Sequence, residues 1–137
     1  SGLLSGVSDE LMLHESYAKE WSIDLTTNSI EPVTKKYTDF LEYVSKNFNL
    51  IEILSAMTPC MRLYSWLGKN LSNMISNNPY EDWILTYSDN SFDNLAKSLE
   101  DQIDGYNDSY DIEQVNFLYK KAMILELDFF NAYSIFA

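Results

Sequence analysis

The sequence predicts an all-α helical bundle, and three observations lead there. Only 4 Gly and 3 Pro occur among 137 residues, too little punctuation for the many tight turns of an all-β sandwich or barrel. Hydrophobic residues make up 46% and aromatic residues 15%, enough to build a core and to exclude disorder of the whole chain. Apolar residues recur along several segments in alternating steps of three and four, the period of an amphipathic helix. At this length the chain reads as a single domain spanning residues 1–137.

The elements follow in order. From Leu3 to Trp21, the positions Leu4, Val7, Leu11, His14, Ala18 and Trp21 form one helical stripe. A polar stretch containing Thr26-Thr27-Asn28 reads as a loop, and it leads to Pro32 at a plausible first helical position. The second helix runs to about Asn47, with Val33, Tyr37, Phe40, Leu41 and Val44 as its apolar positions. The third, from Leu50 to about Ile75, carries Ile53, Met57, Cys60, Tyr64, Leu67, Leu71 and Met74, a pattern that predicts a buried seam. Pro59 lies inside it and removes the amide that would bond to the Ser55 carbonyl, so a kink is expected just before Cys60. A short helix is expected over Tyr80 to Tyr87. Ser88 and Asp89 can cap another from Phe92 to Ile103. The last helix, from Ile112 to Tyr133, has the seam Val115, Leu118, Ala122, Leu125, Phe129 and Ala132, with Glu126 at its edge.

Charge excludes several functions. Nine basic against 21 acidic residues give a formal net charge of −12 at pH 7. The longest basic runs are the pairs Lys35-Lys36 and Lys120-Lys121, which argues against a nucleic-acid partner and against an anionic membrane surface. No apolar run approaches the roughly 20 residues of a membrane-spanning helix. A single Cys cannot form an internal disulfide, and the first residues lack the basic start of a secretory signal, so a reducing, cytoplasmic setting is expected.

Few residues can carry chemistry. One Cys and one His do not make a structural zinc site, and Glu10 and His14 do not match the spacing of a di-iron bundle, so no metal is expected. No Gly-rich phosphate loop occurs. Cys60 stands mid-seam with Tyr64 one turn further along the same face; most such cysteines are small core residues, but a thiol here can also act as a nucleophile. A carboxylic acid could handle its protons. Glu126 is the best candidate, since burial beside aromatics would raise its pKa toward neutrality. Tyr37, Tyr64, Tyr87 and Phe129 are either ordinary core aromatics or the walls of a site for a flat heterocycle.

Several segments together resemble a known family. Thr58-Pro59-Cys60-Met61-Arg62-Leu63-Tyr64-Ser65-Trp66-Leu67-Gly68 is similar to the cysteine-helix motif of the TenA/thiaminase II family, P-C-x-x-x-Y-x-x-[IL]-G. Pro32 to Tyr37 resembles the segment whose tyrosine lies on the substrate. Tyr80 to Tyr87 fits Y-x-x-W-I-x-x-Y, Glu126 to Phe130 fits E-x-x-F-[WF], and His14 to Ala18 fits a segment upstream of these.

The resemblance implies a heme-oxygenase-like helical fold, usually a homotetramer, that acts in thiamin salvage without a cofactor. The implied reaction hydrolyses 4-amino-5-aminomethyl-2-methylpyrimidine to the hydroxymethyl compound, with slower cleavage of thiamin. By the same resemblance Cys60 is the nucleophile, Glu126 the acid/base, and Tyr37, Tyr64, Tyr87 and Phe129 the lining of the pyrimidine site. The similarity covers the C-terminal two thirds of the family's domain. Its N-terminal helices, with a substrate-binding aspartate, have no counterpart here, and Asp9, Asp24 and Asp39 are not assigned that role. The alternative is a catalytically inactive helical module that binds a pyrimidine or serves assembly. Oxidases of quinone-cofactor biosynthesis share the fold but lack this cysteine motif.

Overall fold

The computed structural model describes residues 2–26 and 29–133, side chains of residues 2–7, 9, 10 and 13 excepted. Those residues divide into two units, Ser1–Glu31 and Pro32–Ala137.

The first unit is built on α1 (Gly2–Glu20). It ends as a Schellman turn: the Ile23 amide donates to the Ala18 carbonyl and the Ser22 amide to the Lys19 carbonyl. Ser22 takes the left-handed conformation at φ 55°, a place glycine usually fills. Of the predicted stripe, Ala18 is buried, whereas Leu11, His14 and Trp21 are exposed. Leu4 and Val7 lie outside the described side chains.

The second unit comprises α2 (Pro32–Asn47), α3 (Leu50–Leu71), a single 3-10 turn (Ser72–Met74), α4 (Glu81–Ser88), α5 (Asn90–Asp104) and α6 (Ile112–Ala132). No strand is found among the described residues. Pro32 opens α2, as expected, where its missing amide costs nothing. Asp89 caps α5 by accepting from the Ser91 amide at 2.7 Å, so the helix begins at Asn90, two residues before the expected start. Asp111 caps α6 by accepting from the amides of Glu113 and Gln114 at 2.9 and 3.2 Å.

Helix α3 is the hub, packing against α2, α4, α5 and α6. On one side Val44, Ala56 and Leu118 join α2, α3 and α6, with Phe40, Leu41, Phe48 and Ile53 around them. The other side carries the buried residues Ile84, Tyr87, Ala96 and Leu99 of α4 and α5.

The burial of α3 corrects the seam read from its sequence. Ile53, Met57, Cys60, Tyr64, Leu67 and Leu71 are half-buried, and Met74 is 59% exposed. The buried residues are Ile51, Glu52 and Leu54 in the first turns and, beyond them, small or polar ones: Ser55, Ala56, Thr58, Pro59, Ser65 and Gly68. A central helix is crowded on several faces, and small side chains let its neighbours approach. Ser55 and Thr58 satisfy their buried hydroxyls by donating to the carbonyls of Ile51 and Leu54 at 2.7 and 2.8 Å. The helix is continuous through Pro59.

Candidate active site

Cys60 and Tyr64 come from the middle of α3, Tyr37 from the second turn of α2, Glu126 and Phe129 from α6, and Tyr87 from the end of α4. Of the half-buried seam of α3, Cys60 and Tyr64 lie near side chains of these other elements.

Four of these groups meet. The Tyr37 hydroxyl stands within electrostatic range of the Cys60 thiol, the Glu126 carboxylate and Tyr64. Burial foremost, then the charges that Cys60 and Glu126 would carry, holds its pKa well above the ordinary tyrosine range. The hydroxyl is shielded from water and has no well-aligned hydrogen-bond partner. Its approach to Glu126 is thus close enough to feel the carboxylate but falls short of a full hydrogen bond. Glu126, expected at the edge of the α6 stripe, is 2% exposed. Burial of that depth holds the carboxyl in one place.

The walls are aromatic. Tyr64 packs edge-on against Tyr87 with ring centroids 5.1 Å apart, and also meets Trp83 at 5.7 Å and Phe130 at 6.1 Å. Trp83 contacts Tyr87 at 4.7 Å, and Phe92 closes on Tyr87 from α5 at 4.8 Å. Phe129 reaches this group through Phe130, at 5.8 Å. Trp83 and Phe130 are the members that sequence reasoning left out of the site. Each was present in a quoted motif, but neither was given a role there.

Two polar links hold the frame. Lys36 pairs with Asp128 at 2.8 Å, joining α2 to α6 beside Tyr37 and Glu126. Arg62 reaches α5, donating to Glu100 through Nε and Nη2 at 2.6 and 2.5 Å and to Asp93 through Nη1 at 2.7 Å. Arg62 is therefore an internal crosslink. Among the described residues, no group of three His, Cys, Asp or Glu side chains is placed to hold a metal ion. No helix there is long and apolar enough to cross a membrane.

Several known proteins are similar to this chain. The Bifunctional TH2 protein, mitochondrial, of Arabidopsis thaliana is 32% identical over 158 aligned positions, covering 96% of this chain and 26% of that protein. An Aminopyrimidine aminohydrolase of Halalkalibacterium halodurans is 32% identical over 101 positions, covering 69% of this chain and 45% of that protein. The chain thus spans less than half the length of either relative. Among solved structures, a TenA homologue from P. horikoshii OT3 superposes with a TM-score of 0.81 at 24% identity, over 91% of this chain and 61% of that one. That likeness establishes the helical fold. The sequence profile of the TENA/THI-4/PQQC family matches residues 1–134, and the chain belongs to that family.

Proposed function

We propose that the protein is an aminopyrimidine hydrolase of thiamin salvage, with Cys60 as nucleophile and Glu126 as acid/base. The observation that carries the reading is the meeting of Tyr37, Cys60, Glu126 and Tyr64 at one place, drawn from three helices. The Bifunctional TH2 protein and the Aminopyrimidine aminohydrolase support it by their names, as relatives only.

In this reading the Cys60 sulfur adds to an electron-poor ring carbon while Glu126 delivers a proton to a ring nitrogen. Electron density pushed back through the ring then expels ammonia from the aminomethyl carbon, the amine being protonated beforehand. Water adds at that carbon and gives its proton to Glu126, and departure of the Cys60 thiolate with loss of the ring-nitrogen proton to solvent restores the aromatic ring. No redox partner enters the balance. Tyr64, Tyr87 and Phe129 hold the flat ring by stacking, and Tyr37, with its proton firmly retained, donates to a ring or amino nitrogen. The enzyme works as a homotetramer in this reading. The exposed apolar side chains Ile112, Tyr119, Met123, Leu127 and Phe130 along α6 support association between copies.

The test is hydrolysis of 4-amino-5-aminomethyl-2-methylpyrimidine, followed by ammonia release. Cys60→Ser is expected to lower kcat by at least about a thousandfold and Glu126→Gln by at least about a hundredfold. An unaltered rate in Cys60→Ser rules out the nucleophile. Calorimetry that shows pyrimidine binding to the native protein without turnover replaces the hydrolase by a binding module.

A further inference from the structure

Helix α3 carries two chemically different faces in the turns around Cys60. Cys60 and Tyr64 share one face. Arg62, Ser65 and Lys69 share another, and Arg62 is rotated from Cys60 by about 200° around the helix axis. All three of these polar side chains converge on α5. Asp93 accepts from Arg62 Nη1 at 2.7 Å and from the Ser65 hydroxyl at 2.8 Å, and it pairs with Lys69 at 2.6 Å. Glu100 grips the other edge of the same guanidinium in a bidentate pair. Asp93 and Glu100 are seven residues apart on α5, about 10 Å along its axis.

Such an array does more than join two helices. Anchors separated along both axes oppose sliding of α3 on α5 and also its rotation. Rotation is the motion that would swing Cys60 away from Tyr37 and Glu126. The need is local, because Pro59 deletes one backbone hydrogen bond of α3 immediately before Cys60. Ser65 is fully buried, so its bond to Asp93 is shielded from water on the helix side. The sequence uses its one arginine here, where a planar fork can hold two carboxylates at once.

We infer that the Arg62–Asp93–Glu100 cluster, with Ser65 and Lys69, is a positioning device that fixes the rotation of the Cys60–Tyr64 turn, Asp93 being its central member. The inference rests on the hydrolase reading only for its kinetic consequence. None of the five residues touches the reacting atoms; they act through α3.

The test uses Asp93→Asn, which keeps the shape and removes the charge, with Lys97→Met as a control. Lys97 pairs with Asp101 at 2.8 Å on the exposed side of α5 and does not reach α3. Because Cys60 is the lone cysteine, alkylation by iodoacetamide reports on that residue alone. At a temperature well below the melting transition of both variants, Asp93→Asn is expected to speed native-state alkylation at least threefold. It is also expected to lower kcat about tenfold with less than a threefold change in KM, while Lys97→Met alters none of these. Arg62→Lys, which loses the fork but keeps a charge, is expected to fall between the two. The proposal is overturned if Asp93→Asn lowers the melting temperature but leaves both alkylation and kcat within twofold of the native values, or if Lys97→Met reproduces its effects. Should the native protein show no hydrolysis, the hydrolase reading fails by itself, and the alkylation rates still decide the positioning role.

Discussion

Gly68 of α3 lies directly against the backbone of Tyr87 at the end of α4: a Cβ placed on Gly68 would stand 2.3 Å from the Tyr87 carbonyl carbon and 2.5 Å from the Ser88 nitrogen. Both obstacles are main chain, so no side-chain rotation relieves the overlap. The glycine is present for close approach, since its backbone is ordinary helix, and that approach sets where the Tyr87 ring meets Tyr64.

Gly68→Ala is accordingly expected to destabilise the fold by about 2–3 kcal/mol through overpacking, despite the better helix propensity of alanine. The melting temperature should fall by several degrees, and, for the hydrolase proposed above, KM for the pyrimidine should rise as Tyr87 is displaced. Thermal denaturation and steady-state kinetics check the two effects; a melting temperature equal to or above the native value contradicts the packing.

Tyr37 should remain protonated when ordinary tyrosines ionise. Its proton is retained by burial and by the nearby Cys60 and Glu126 groups. Followed at 295 nm between about pH 9 and 11, the absorbance rise of the native protein should equal that of Tyr37→Phe. A deficit of one tyrosinate in the variant would place Tyr37 in water. The sign for stability is fixed by the same shift. Since the folded state retains a proton that the unfolded chain releases near pH 10, this residue makes folding less favourable as pH rises above that value.

Asp93 contributes to the acid limb of stability. Hydrogen bonds from Lys69, Ser65 and Arg62 hold its carboxyl below the ordinary range. A depressed folded-state pKa contributes stability above the unfolded value of about 3.9 and loses it as pH falls further. Asp93→Asn should therefore reduce stability at pH 7, and its denaturant midpoint should change less between pH 5 and pH 3 than that of the native chain. Parallel curves for the two proteins would contradict the assignment.

Helix α6 offers a contrast between two leucines. Leu118 is buried with Val44 and Ala56, and Leu118→Ala should cost about 3 kcal/mol. Leu127 is 60% exposed, and Leu127→Ala should change stability by no more than about 0.5 kcal/mol in the dissociated protein. Urea denaturation of both at low concentration checks the pair. A large cost at Leu127 that grows with protein concentration would place this face in the association between copies.

Much of the framework was legible in the residues. Helices α2 and α6 begin at the expected positions, α2 at Pro32 and α6 at Ile112, where the polar connector gives way to an apolar period. Burial was harder to read. On α3 the apolar period marked the half-open face that carries Cys60 and Tyr64, while the deepest contacts belong to Ala56, Ser65 and Gly68, whose small side chains carry little hydrophobic signal. The Arg62 crosslink was invisible for a related reason: its partners lie 31 and 38 residues away, and no local pattern couples them. Glu126 read as an edge residue because a helical wheel shows one helix, and its depth comes from its neighbours.

The ion pairs have a consequence for how the protein meets its ligand. At least six of the nine lysine and arginine side chains are engaged at contact distance with carboxylates of this same chain: Lys35, Lys36, Lys46, Arg62, Lys69 and Lys97. Their charge is cancelled close to the surface and projects little into solution. What extends outward is the field of the surplus acids, felt over roughly 10 Å at moderate salt. For the hydrolase proposed above, uptake of a protonated amine is expected to slow as ionic strength rises, and an anionic competitor is expected to be repelled by the same field.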